Sequence, residues 1–259
     1  MKFLVRSITS LCYAALLLVS LYINSLFFLL VVFLMTMVSL FEIQRITNQK
    51  APIIYFFFPS ALLLSFVFEQ ANQVLLILGT IGAFLMFYFF CSKQKIDFTK
   101  TFVTTLGFFG VSVPLVLLVL LSNQNPNYVA FFFGSIWLND TGAYLVGSSM
   151  GKRALAPNIS PNKTIEGSTG GIVIATIIMF FVGSYYEFFD TKTTIAATVV
   201  IAIFGGLGDL IQSKIKRQCK VKDSGKVLPG HGGMYDRLDS SLLAISMYIL
   251  ILVLFGYVS

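Results

Sequence analysis

Charge is what this sequence has least of. Asp, Glu, Lys and Arg make up only 11% of its 259 residues, against 57% hydrophobic residues, 27 Phe and a mean hydropathy of +0.87. That composition excludes a soluble globular domain and points to an integral membrane protein. There is no low-complexity tract, no internal repeat and no polar stretch long enough for a soluble domain. Cysteine is scarce too: Cys12, Cys91 and Cys219 form an odd set without metal-ligand spacing. Two lie in or beside apolar runs and the third in a polar loop, so they read as reduced packing residues. Histidine occurs once, at His231, and one histidine on its own is weak evidence for a site.

What is present is a succession of apolar runs. Nine stretches, at about 4–22, 25–41, 52–68, 74–91, 102–121, 128–147, 169–189, 193–212 and 241–258, are each long enough to cross roughly 30 Å of hydrocarbon as a helix. The breaks are polar or turn-forming, such as "QRITNQKAP", "SKQKIDFTK" and "SNQNPN". The basic start before the first run reads as an uncleaved span, because no small-residue cleavage site follows and a second apolar run begins at once. The fold class is therefore an all-α polytopic bundle of about nine transmembrane helices.

The few charges are not scattered. Lys2 and Arg6, then alternate loops carrying Arg45 and Lys50, then Lys93, Lys95 and Lys100, then Lys152, Arg153 and Lys163, then a last group of seven, hold 17 of the 18 basic residues. Only Lys192 lies in the other loops. Cytoplasmic loops are enriched in Lys and Arg, so the N-terminus and the large basic loop are expected in the cytoplasm and the C-terminus outside. This topology also explains the sequence pI of about 9.3. With no aromatic-interleaved basic patch in a soluble module, nucleic acid is not expected as a partner. Individual loop lysines can equally serve as topology signals or contacts to anionic headgroups.

Three polar places stand out. In "WLNDTGAYLVG", Asp140 interrupts the sixth run; a carboxylate at membrane depth faces a cavity, an ion or a partner, the plainer alternative being an interhelical hydrogen bond. In "GKRALAPNISPNKTIEGSTGG", Ser160–Pro161 resembles a helix N-cap and first turn. Lys163 would then stand beside free backbone N–H groups suited to an anion, or the segment is only a helix cap. The third is "SKIKRQCKVKDSGKVLPGHGGMYDRLD", residues 213–239, with seven Lys or Arg, three Asp and the histidine. If the eighth helix continues, Asp209, Ser213 and Lys216 share a face. Asp236 and Asp239 follow one turn apart, where the helix dipole alone would favour acids. Carboxylates, clustered cations and glycine turns suit metal-assisted phosphoryl transfer.

Residues 213–239 resemble the C-terminal signature of the CDP-diacylglycerol synthases, or phosphatidate cytidylyltransferases. The matching positions are Ser213, Lys216–Arg217, Lys222–Asp223, His231–Gly232–Gly233, Asp236–Arg237 and Asp239. "NDTGAYLVG" and "SPNKTIEG" resemble family segments as well, with Asn162 where many members carry a basic residue. The resemblance covers roughly residues 137–240. It implies a membrane enzyme, often a homodimer, that makes CDP-diacylglycerol and pyrophosphate from CTP and phosphatidic acid at the cytoplasmic face, in a bacterial inner membrane. The chain is expected to divide into two regions: residues 1–127 with about five spans, and 128–259 as the catalytic part with about four spans and loops 148–168 and 213–240.

On that resemblance, Asp209 and Asp236, with Asp140 and Asp223, are expected around Mg2+, with or without a monovalent cation. Lys216 and Lys222 are expected at the reacting phosphates. Lys163, Ser213, Arg217, His231, Gly232, Gly233 and Arg237 are expected to contact substrate. Two alternatives remain: an enzyme using CTP on another lipid, such as a polyprenol kinase, and a transporter with Asp140 at its substrate site. Transporters often pair interrupted helices in two halves, whereas here the polar signals lie only in the C-terminal half.

Overall fold

The computed structural model of the protein describes residues 2–67, 71–92, 96–227 and 232–258, with the side chains of all of these except residues 2–8, 66, 67 and 71. Every expected apolar run meets a helix. The first three runs fold as α1 (Lys2–Ile23), α2 (Ser25–Thr47) and α3 (Phe57–Val67), the last entered through a 3-10 turn at Pro52–Phe56. α4 (Ala71–Cys91) is the fourth, and α5 (Lys100–Gly107) with α6 (Val113–Gln124) makes one continuous fifth. Then come α7 (Pro126–Met150), a hairpin of β1 (Ala154–Ala156) and β2 (Ser160–Thr164), α8 (Ile165–Tyr186), α9 (Thr191–Gln218) and α10 (Asp239–Leu254). Five of these helical segments are long and apolar enough to cross a membrane, and three shorter helices are apolar too.

Local chemistry explains the breaks. Asn24 leaves the helix with φ −164° and its side chain accepts from Leu26 N at 2.8 Å, so it ends α1 and caps α2. Asn125 does the same for Asn127 at 3.0 Å, with Pro126 in the first turn of α7 where its missing N–H costs nothing. Asp190 caps α9 by accepting from Thr193 N at 2.9 Å. Between α5 and α6 the helix widens to a π-turn over Phe108–Ser112. Pro114 follows directly; in a regular α-helix its ring would clash with the carbonyl of Gly110, and the wider turn relieves it.

One expected helix start is corrected. Ser160–Pro161 does not open a helix but lies in β2, antiparallel to β1, with Ala156 paired to Ser160 and Ala154 to Thr164. The cap is Thr164, whose hydroxyl oxygen accepts from Gly167 N at 3.0 Å, four residues later than the Ser-Pro pattern suggested. Lys163 therefore projects from a strand and not from a helix N-terminus.

The closest packing joins α7 to α8 and α9 to α10. A side chain on Gly171 would come within 2.6 Å of the Asn139 carbonyl, so the α7–α8 crossing depends on small residues. α10 is the central helix: Ser240 through Ile249 are all buried. By contrast, α8 exposes Val173, Ile177 and Phe181, and α4 exposes Ile77, Ile81 and Phe84. An apolar surface of that extent fits contact with hydrocarbon and not with water.

Candidate active site

α9 runs unbroken past the apolar stretch to Gln218, which puts Asp209, Ser213 and Lys216 on one face as the spacing predicts. Ser213 Oγ donates to Asp209 Oδ1 at 3.2 Å, one helical turn away. Lys163 reaches from β2 and its Nζ donates to Asp209 Oδ2, closing an ion pair between loop and helix. The 3-10 turn Tyr235–Arg237 and the start of α10 supply Asp236 and Asp239.

Lys216 is almost fully buried and joins these parts. Its Nζ lies 2.7 Å from Asp236 Oδ1 and 4.0 Å from Asp239 Oδ2. The other oxygen of Asp236 accepts from Ser224 N and Gly233 N, each at 2.8 Å, and from Ser224 Oγ at 3.1 Å. Burial pushes the Asp236 carboxyl up, but the hydrogen bond and charge of Lys216, with the two backbone N–H groups, outweigh it and hold the group below the usual carboxylate range. Gly232 adopts φ +89°, a left-handed conformation suited to glycine, and a side chain there would come within 2.7 Å of Asp236 Oδ2. The turn closes on the carboxylate because that position has no Cβ.

The four acids expected around a metal are thus divided. Asp140 and Asp209 interact with each other through their charges, and Asp239 belongs to the same set, with Lys163 and Lys216 as the cations facing them. Asp140 keeps an accessible surface. Asp236 is taken up by Lys216 and the loop, and Asp223 is exposed on the loop with Lys222. Among the described residues, no three His, Cys, Asp or Glu side chains form a preformed cage. The donor set nevertheless fits Mg2+, which takes one or two protein carboxylates and fills its other positions with water and phosphate oxygens.

The remaining expected residues take varied places. Arg217 is exposed and donates to Val221 O at 3.0 Å, closing the end of α9. The charge of Arg237 reaches Asp140. His231 lies outside the described residues. Lys214, counted among the seven clustered cations, faces elsewhere: its Nζ donates to the carbonyls of Phe89, Phe90 and Ser92 at 2.6–2.9 Å and caps the end of α4.

Two residues were missed as site members. Asp239, read as a helix-dipole acid, stands in the carboxylate set. Glu42, near the C-terminal end of α2, touches the same loop as Asp236 through Ser224. Glu42 follows the second apolar run, two residues before Gln44–Arg45, so the sequence carried no signal that set it apart.

Comparison with known proteins follows the same lines. Residues 4–255 match the sequence profile described as the cytidylyltransferase family. A protein of Staphylococcus saprophyticus named phosphatidate cytidylyltransferase is 36% identical over 170 residues, 65% of each chain. Its namesake from Staphylococcus haemolyticus gives the same figures, and that from Staphylococcus epidermidis is 35% identical over 184 residues, 70% of this chain and 71% of the other. The match thus spans about 65% of the length of the first two relatives.

Proposed function

The chain belongs to the cytidylyltransferase family, and from that premise we propose that it transfers CMP from CTP to phosphatidic acid, giving CDP-diacylglycerol and pyrophosphate. The observation that carries this reading is the facing of Lys163 and Lys216 against Asp140 within α7, Asp209 within α9 and Asp239 at the start of α10. The relatives named phosphatidate cytidylyltransferase support the choice of lipid.

In this reaction a phosphomonoester oxygen of phosphatidate attacks the α-phosphorus of CTP, and the bond from that phosphorus to the bridging oxygen of pyrophosphate breaks. The nucleophile is already anionic at neutral pH, so no strong general base is needed. The difficulty is bringing two polyanions together at a membrane surface, and cations at the reacting phosphates lower that barrier. In our reading Lys163 and Lys216 clamp phosphate oxygens, helped by Lys222, Arg217 and Arg237, while Ser213 orients Asp209. Asp209 and Asp140, with Asp239 beside them, would hold Mg2+, which supplies charge neutralisation on the triphosphate. Asp236 keeps Lys216 in place. The site end faces the cytoplasm, where CTP is, in the inner membrane of a bacterial cell.

A panel of acceptors tests the substrate. Purified protein given CTP, Mg2+ and either phosphatidate or a polyprenol should consume CTP with phosphatidate alone; preference for the polyprenol would overturn the reading.

A further inference from the structure

Glu42 sits in α2, some 182–193 residues away from the groups it binds, and is only 1% exposed. Its Oε1 accepts from Met234 N at 3.1 Å, and its Oε2 accepts from Tyr235 N at 2.9 Å and from Ser224 Oγ at 2.6 Å. These donors lie at the two ends of one loop. The same Ser224 gives its N–H to Asp236 Oδ2, and its hydroxyl is within reach of that oxygen as well. One hydroxyl has one proton, so Glu42 and Asp236 share Ser224 as a bridge.

Two glycines show how closely the loop is moulded on this carboxylate. A Cβ at Gly225 would meet Glu42 Oε1, Cδ and Cγ as its three nearest atoms, and a Cβ at Gly233 would meet both Glu42 oxygens and Ser224 Oγ. Gly225 lies outside the left-handed φ range, so the Glu42 carboxylate is what a Cβ there would meet. Removing a carboxylate from water is unfavourable unless its oxygens are hydrogen-bonded, and the three N–H and O–H donors to this one meet that need near the polar end of α2.

We propose that Glu42 is a positioning residue for phosphoryl transfer: it fixes Ser224, Met234 and Tyr235, and so sets Asp236 and, through it, the Nζ of Lys216. The N-terminal part of the chain thereby contributes to the site. This inference rests on the reading of Lys216 as a phosphate contact.

The test compares full-length Glu42→Ala, Glu42→Gln, Gly225→Ala and the Glu42→Ala/Gly225→Ala double variant with the wild type in detergent micelles. Glu42→Ala should lower kcat/KM about 10- to 100-fold, as for other residues that orient a site from behind it. Glu42→Gln, which keeps the shape and one acceptor oxygen, should restore a large part of that loss. Gly225→Ala should be impaired on its own, yet add nothing in the Glu42→Ala background. Hydrogen exchange of the 232–237 backbone should accelerate in Glu42→Ala. Unchanged turnover in Glu42→Ala, a Gln variant no better than Ala, or losses at 42 and 225 that multiply would each overturn the proposal. If Glu42→Ala fails to fold, Glu42→Gln and Gly225→Ala decide, since near-normal exchange and turnover in Gly225→Ala contradict the moulded loop. A wild type without transfer activity would count against the enzymatic reading, while the exchange data would still show whether Glu42 orders the loop.

Discussion

Lys216 Nζ lies 2.7 Å from Asp236 Oδ1 in a pocket where both side chains are almost fully buried, and the same nitrogen stands 4.0 Å from Asp239. One cation on α9 therefore holds the loop before α10 and faces the first acid of α10. Removing Lys216 leaves a buried, uncompensated carboxylate, which costs about 3–5 kcal/mol. Lys216→Ala should lose stability on that scale in thermal or denaturant unfolding, beyond its loss of turnover. A Lys216→Met/Asp236→Leu double variant should regain much of the stability and remain inactive.

Acid should act through the same pair. The Asp236 carboxyl is held below its ordinary value, near about 3.9 in an unfolded chain. The folded state thus favours the ionised form, so its contribution is present above about pH 4 and is lost as pH falls through the lower folded value. Unfolding of the wild type followed from pH 6 to pH 3 should show a drop at the acid end that Asp236→Asn lacks. Equal slopes in the two proteins would remove Asp236 as the cause.

Lys163 pairs with Asp209 across the hairpin and helix. As a phosphate clamp it acts in the ground state as well as the transition state, so Lys163→Ala should raise KM more than it lowers kcat. A charge-assisted contact is worth roughly 1.5–3 kcal/mol, which corresponds to a fall in kcat/KM of about 10- to 150-fold. Steady-state kinetics with each substrate varied in turn would check this, and unchanged KM values for both would count against the clamp.

The positive-inside count predicts that Lys192 and Lys220 lie on opposite sides of the membrane. Single cysteines at those positions in a cysteine-free protein should differ when intact cells meet an impermeant thiol reagent, with labelling at 192 alone. Equal labelling, or labelling only at 220, would refute the orientation.

Much of this was legible before any coordinates. Among the described residues each of the nine apolar runs meets a helix, because length and hydropathy are local properties, and five of those helical segments are long and apolar enough to cross a membrane. The i, i+4 and i+7 spacing put Asp209, Ser213 and Lys216 on one face as soon as α9 proved continuous. What escaped was long-range or ambiguous. The Ser160–Pro161 pair imitates a helix start, and only the pairing of β1 with β2 shows it to be strand. Asp239 satisfies a helix dipole and a carboxylate cluster equally well, so its position did not decide between them. Lys214 looked like its neighbours in the cation cluster, yet caps α4 more than 120 residues away. Glu42 gave no sign of its partners, since they arrive from the far end of the chain.

The most direct measurement follows the label of CTP. Purified wild type and Asp209→Asn are incubated with phosphatidate, Mg2+ and CTP labelled at either the α- or the γ-phosphate. Cytidylyl transfer predicts α-label in the lipid and γ-label in pyrophosphate for the wild type, with both nearly lost in Asp209→Asn while the protein stays folded. Appearance of the γ-label in the lipid would mean phosphoryl transfer by a CTP-dependent kinase and would contradict the account.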